Sequence, residues 1–260
     1  MTRALSAERV EPLSGEARSV VVFLHGYGAN GKDLIGLAEP LAEHLPDTLF
    51  VAPDAPERIA GLFGGLQWFP IPWIDGSSEE DAAAGLQAAS ADLNAFLDGL
   101  LVDEDMLPEQ LILFGFSQGT MMSLHVAPRR EDPVAGIVAF SGRLLEPELL
   151  GDETVSKMPI VLIHGDEDDV VPPQSLPQAA EALQEAGFTE IYAHIMKGTA
   201  HGIAPDGLSV ALGFMRKHLG YECRLNACVG HADRMQIGYI CHAYPIQTSE
   251  RSAQCHLCVI

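Results

Sequence analysis

Cysteine is missing from the first 220 residues; all five, Cys223, Cys228, Cys241, Cys255 and Cys258, lie beyond them. The larger part of the chain therefore has no disulfide framework and no thiolate ligands for a structural metal. There is no run of about 18 apolar residues to span a bilayer. The opening MTRALSAERVEPLSGEARSV mixes charges with polar residues instead of building an apolar signal core. A soluble, cytoplasmic protein is the expectation. Basic residues are scarce, 15 Lys and Arg against 36 Asp and Glu, which leaves a net charge of −21. Such a surface repels phosphate backbones and anionic membranes, so neither nucleic acid nor stable membrane insertion is expected. Most of this charge reads as a solvated face that aids solubility.

What is present suits a folded enzyme-sized domain: 260 residues, 47% of them hydrophobic, can fill the core of one sizeable α/β unit. A seam in composition falls near residue 220. Beyond it stand three Lys/Arg (Arg224, Arg234, Arg251) and three Asp/Glu (Glu222, Asp233, Glu250), so the whole net charge of −21 belongs to the upstream part. Residues 1–220 read as the catalytic domain and 221–260 as a cysteine-containing extension outside it. The extension's Cys and His residues, including His231 and His242, are of types that bind zinc, and disulfides are a further alternative. Their irregular spacing and the lack of a helical or strand period favour a weakly ordered appendage with no metal.

Short apolar runs rich in Val, Ile and Phe recur at Ser19–His25, Thr48–Ala52, Gln110–Gly115, Val134–Phe140, Pro159–His164 and Ile191–Met196, and read as buried strands. Helical patterns fill the gaps at Asp33–Leu45, Glu79–Leu101, Gln118–Val126, Gln174–Ala186 and Asp206–Leu219. Strand and helix alternate, which predicts a mostly parallel twisted sheet with helices on both faces. Between Glu57 and Ser78 lies an irregular excursion carrying six glycines and prolines from Gly61 to Gly76. In such sheets the ligand crevice opens at the carboxyl ends of the strands, so chemistry is sought just after each one.

The strand ending LILF runs directly into Gly115-Phe116-Ser117-Gln118-Gly119 and then into a helix. A serine hydroxyl is a poor nucleophile unless it is exposed, aimed and paired with a base. The G-x-S-x-G elbow supplies the first two by standing the side chain above the sheet, with glycines where strand and helix pass closely. The alternative is a small-residue turn of no catalytic use. A base and an acid then have to come from later strand ends, in the order acid before histidine. After the last strand comes KGTAHGIAP with His201; His25, His44, His125, His164, His194 and His218 fall within strands, helices or their ends and read as structural. The preceding strand leads into GDEDDVVPP, where Asp168 is the first choice of acid and Asp166 the second.

The pieces FLHGYGANGKD, APDAPE, QWFPI, GFSQGT, FSGRL, HGDEDDVVP and AHGI, in this order, resemble the carboxylesterases of the phospholipase/carboxylesterase group, which includes the acyl-protein thioesterases. The resemblance runs from about Ser19 to Leu219. It implies an α/β-hydrolase fold with Ser117 as nucleophile, Asp168 as acid and His201 as base, and a small-molecule ester as substrate without a cofactor. It also maps the oxyanion donors onto the backbone N–H groups of Tyr27 and Gln118. A homodimer is compatible with it. Thr120 stands where a third glycine is frequent, and Pro70 interrupts the aromatic segment. Trp68, Phe69 and Trp73, on the excursion, are the candidate acyl-contacting residues, against the alternative that they form a satellite core anchoring the loop.

A literal rival shares the first of these segments. Gly26-Tyr27-Gly28-Ala29-Asn30-Gly31 is G-x-G-x-x-G after a strand, with Asp54 at the end of the next strand, the pattern of a dinucleotide site in an oxidoreductase. Gly26 to Lys32 also approaches a P-loop, but Asp33 occupies the hydroxyl position and repels phosphate. A non-catalytic binding module on the same scaffold is a third reading. The rivals leave Ser117, Asp168 and His201 as coincidence, whereas a hydrolase uses the glycine-rich turn as its oxyanion loop.

Overall fold

The structure, a computed structural model, describes residues 2–221. The zinc, disulfide and appendage readings of the tail fall outside the described residues, which end at Tyr221, whose hydroxyl accepts from Asp47 N–H at 3.0 Å and lies 3.1 Å from Thr48 Oγ1. Seven strands form the main sheet in the order β1-β3-β2-β6-β7-β8-β9. They are β1 (Ala7–Val10), β2 (Ser19–Leu24), β3 (Thr48–Pro53), β6 (Leu111–Phe116), β7 (Gly136–Phe140), β8 (Ile160–Gly165) and β9 (Ile191–Met196). All pairs are parallel except β1 with β3 at one edge. The two remaining strands, β4 (Glu57–Arg58) and β5 (Leu66–Gln67), make a separate antiparallel pair inside the excursion.

Period-two alternation along the central strands explains how the sheet buries both faces. In β2, Val20, Val22 and Leu24 point into one core and Val21 and Phe23 into the other. The first core is covered by α4 (Glu79–Asp103), α5 (Gln118–Val126) and α7 (Ser175–Glu185) through Leu93, Leu97, Met122 and Leu183. The second is covered by α1 (Gly31–Ile35), α2 (Ala38–Ala42) and α8 (Pro205–His218) through Leu34, Leu41 and Phe214. The expected α/β-hydrolase sheet with helices on both faces is what the chain forms.

Two differences have local causes. The single helix expected over residues 33–45 is two short ones, because the ladder tightens at Gly36 and Leu37, whose N–H bonds back only three residues to Leu34. No strand is expected before Ser19, yet β1 adds an antiparallel edge. Its arm is pinned by Arg3, whose backbone N–H and Nε each reach the buried Asp92 carboxylate at 2.6 Å. The short helices α3 (Pro72–Asp75) and α6 (Leu150–Glu153) complete the fold.

Sequential connections run outward in opposite directions from β2 and β6: β2 leads to β3 on one side, and β6 to β7, β8 and β9 on the other. The carboxyl ends of β2 and β6 therefore flank a topological switch point, where open α/β sheets form their crevice.

Candidate active site

Ser117 sits at that point, between the last residue of β6 and the first of α5. Its backbone has φ 55° and ψ −114°, a conformation L-residues avoid and one that costs about 1–3 kcal/mol unless the surroundings enforce it. The surroundings do enforce it. Ser117 N–H donates to Phe140 O at 2.9 Å. A Cβ on Gly115 would stand 2.5 Å from Gly119 O and from Thr120 Cα, and one on Gly119 would overlap Leu24 O. Thr120, at the position where glycine is frequent, completes the clamp: its hydroxyl lies 2.8 Å from Gly115 O and 2.7 Å from Phe140 O. Its methyl group lies where a Cβ on Gly142 would be, so the two positions share one volume.

On one side of Ser117 lies the turn that follows β2. A Cβ on Gly26 would be 3.2 Å from the Ser117 Cβ, which shows how near the turn passes. Among the described residues, neither Tyr27 N–H nor Gln118 N–H has an acceptor within the protein. Gln118 N–H is also the first amide of α5, at the positive end of its dipole. The turn is fixed by buried groups. His25 is fully buried; its Nε2 accepts from Ala55 N–H at 2.9 Å, so the ring is neutral and Nδ1 donates to Gly26 O at 2.8 Å. Burial pushes the pKa of His25 down, in agreement with that state.

The Gln118 side chain, also fully buried, bridges to the excursion: Oε1 accepts from Trp68 N–H at 2.9 Å and Nε2 donates to Phe69 O at 2.7 Å. Trp68 is fully buried, with its indole N–H on His25 O at 3.0 Å, and Phe69 is 4% exposed. These two residues pack in the core and tie the excursion to the turn, as the satellite-core alternative has it; they are not an open wall for substrate. Trp73, 55% exposed on α3, is the member of the trio at the surface, with the Arg143 guanidinium 5.2 Å from its ring centroid.

On the other side, the loops after β8 and β9 come together. His201 Nδ1 lies 2.7 Å from Asp168 Oδ2, and the Asp168 side chain is fully buried. Its Oδ1 accepts from Val170 N–H at 2.9 Å and Val171 N–H at 2.8 Å. A buried carboxylate held by three N–H groups remains an acceptor and holds the proton of His201 on Nδ1, leaving Nε2 as the base. The second choice of acid, Asp166, faces elsewhere. It accepts from Gly198 N–H at 2.7 Å and pairs with Lys197 at 3.1 Å, and the Lys197 partner draws its pKa down. Asp166 thereby braces the start of the loop that carries His201. The His201 ring packs on Phe116, the neighbour of Ser117, with centroids 5.0 Å apart. Among the described residues Ser117 Oγ, on a residue 8% exposed, has no hydrogen-bond partner.

The dinucleotide reading meets a direct obstacle. Asp54, the residue it reserves for a ribose, accepts from Gly31 N–H and Ser6 Oγ, both at 2.9 Å. The N-terminus of α1 is filled by its own capping box, Asn30 with Asp33, and that helix is five residues long. The segment is a turn closed on itself. Among the described residues no group of three His, Cys, Asp or Glu could hold a metal ion, and no helix is long and apolar enough to cross a membrane.

The sequence argument missed the polar supports: the buried Gln118 side chain, His25 and His164, and the half-buried Asp166, which it weighed only as an acid. His25 and His164, at strand ends just before a glycine, read as structural from the sequence, and both rings are hydrogen-bonded to backbone groups.

Comparison with known proteins gives the family. Acyl-protein thioesterase 1 of Saccharomyces cerevisiae is 32% identical over 225 residues, covering 82% of this chain and 96% of its own. The solved structure of esterase PE8 is 42% identical, with a TM-score of 0.79, and covers 84% of this chain and all of that one. Acyl-protein thioesterase 2 of Zea mays is 26% identical, with a TM-score of 0.66, over 83% of this chain and 99% of that one. Residues 5–219 match the Phospholipase/Carboxylesterase family, and the chain belongs to it, as an α/β-hydrolase.

Proposed function

We propose that this protein is a serine hydrolase that cleaves carboxylic esters, and thioesters by the same chemistry, of short to medium acyl chains through an acyl-enzyme. The observations that carry the proposal are an elbow serine at φ 55° and a histidine, packed on the ring of the neighbouring Phe116, bonded at 2.7 Å to a buried carboxylate. Family membership and the esterase and thioesterase names of similar proteins support the reaction class.

In this reading Ser117 Oγ attacks the acyl carbon while His201 Nε2 takes its proton, and Asp168 stabilises the imidazolium that results. The Tyr27 and Gln118 N–H groups receive the oxyanion. Because the Gln118 side chain and the Trp68 indole hold that turn, the donors are oriented before substrate arrives. His201 returns the proton to the leaving alcohol or thiol, and water then repeats the sequence to release the acid. The hydrogen bond from Ser117 Oγ to His201 Nε2 is made on substrate binding, since catalytic hydrogen bonds commonly tighten only in the complex. Trp73 contributes to the outer acyl surface. The reaction needs no cofactor.

The test is turnover of p-nitrophenyl butyrate and of an S-acyl peptide. Hydrolysis of either, with a burst of p-nitrophenol equal to the enzyme present, is the expected result. Absence of turnover together with quenching of tryptophan fluorescence by NADH would reject the proposal.

A further inference from the structure

A second imidazole lies beside Asp168. His164, in β8, is 3% exposed, and its Nε2 lies 2.9 Å from Val171 O. A carbonyl oxygen can only accept, so Nε2 carries the hydrogen. The same Nε2 is 3.2 Å from Asp168 Oδ2, the oxygen that His201 Nδ1 approaches at 2.7 Å. Val171 closes the circuit by giving its own N–H to Asp168 Oδ1 at 2.8 Å. His164 therefore fixes both the backbone turn that supplies donors to one carboxylate oxygen and the surroundings of the other.

The charges nearby do not serve this purpose. Lys197 is spent on Asp166, Glu167 and Asp169 are exposed, and no Lys or Arg contacts Asp168 among the described residues. The negative charge of a fully buried carboxylate is thus balanced by oriented N–H groups, two amides and His201, while His164 Nε2, whose hydrogen goes to Val171 O, lies 3.2 Å away. Unbalanced, it would be costly to bury.

We propose that His164 is a positioning residue for Asp168: by holding Val171 it fixes the turn that sets which carboxylate oxygen faces His201. The inference rests on the hydrolase reading in so far as His201 is the base. It concerns a residue that touches no substrate, so its effect falls on turnover and not on binding.

Full-length wild type, His164→Leu and His164→Gln are compared on p-nitrophenyl butyrate and by proton NMR. Leu removes the donor at similar volume; Gln keeps an N–H that reaches the same carbonyl. Misplacing Asp168 and His201 in His164→Leu lowers kcat roughly tenfold to a hundredfold with KM within about twofold, and His164→Gln recovers most of it. The downfield resonance of the His201–Asp168 hydrogen bond, identified by its loss in His201→Ala, moves in His164→Leu and stays in place in His164→Gln. If His164→Leu does not fold, His164→Asn, which falls short of Val171 O, replaces it with the same expectation. Wild-type kcat in both variants overturns the proposal. So does equal loss in both with an unmoved resonance, since packing alone would give that. Wild type without any turnover overturns the hydrolase reading instead, and the NMR arm still decides whether His164 holds the carboxylate.

Discussion

The excursion from Glu57 to Ser78 has two halves that look alike in composition and behave oppositely. Its inner part, Leu66 to Ile71, is laced to the turn after β2: Gly28 N–H bonds Leu66 O at 2.8 Å, Leu66 N–H bonds Ala29 O at 3.0 Å, and Trp68, Phe69 and Ile71 are buried. Gly85 of α4 makes room for it, since a Cβ there would stand 2.5 Å from Pro70. Its outer parts carry Leu62, Phe63, Trp73 and Ile74, all large, apolar and exposed. Aromatic residues thus do two jobs within a few positions: one holds the turn after β2 in place, and the other presents apolar surface to solvent. Burial, not residue type, separates the two.

The largest expected effect isolates chemistry from that packing. Ser117→Ala or His201→Ala should reduce ester hydrolysis on the order of a millionfold with an unchanged circular dichroism spectrum, on the precedent of other serine hydrolases. Near-normal turnover in either would reject the assignment. Next comes the inner half: Trp68→Ala opens a cavity and frees His25 O, and should cost about 3–5 kcal/mol in denaturant unfolding, with activity lost as well. If Trp68→Ala were as stable as wild type, the inner half would not be the anchor described.

Gln118→Ala leaves Trp68 N–H and Phe69 O unpaired in the interior. It should cost roughly 1–3 kcal/mol and lower kcat, because the Gln118 amide itself is retained but the turn it faces is loosened. Acid should act on the same half. His25 has its pKa lowered by burial, so the stability due to its neutral ring is complete above the unfolded value of about 6.5 and is lost as pH falls below it towards the lowered folded value. In a Trp73→Phe background, Trp68 emission should shift to the red as pH falls through that window; emission flat down to pH of about 4 would contradict it. The smallest effect belongs to the outer half: Trp73→Ala should change stability by no more than about 0.5 kcal/mol, while altering KM for longer acyl esters more than for acetate.

Much of the fold was legible because the strands are buried on both faces. Ser19–Leu24, Leu111–Phe116 and Ile160–Gly165 each announce themselves as compact apolar runs, and α5 was bounded correctly from the elbow. β1 was not legible, since AERV alternates between exposed and half-buried positions and gains its place only by pairing with β3. The elbow was legible from glycine spacing. The supports were not: whether Gln118, His25 or His164 faces solvent or a buried carbonyl depends on contacts 30 to 50 residues away or across a turn, as with Ala55 and Trp68. Trp68 and Trp73 could not be told apart from composition, because the turn that sends one inward and the other outward is set by backbone bonds to Gly28 and Ala29.

Covalent labelling with a fluorophosphonate, followed by peptide mass spectrometry, reads the central claim directly. One equivalent of adduct on the peptide bearing Ser117, abolished in Ser117→Ala and strongly slowed in His201→Ala, is the predicted result. Ester turnover that persists while Ser117 stays unlabelled, or label found on a different serine, would contradict it.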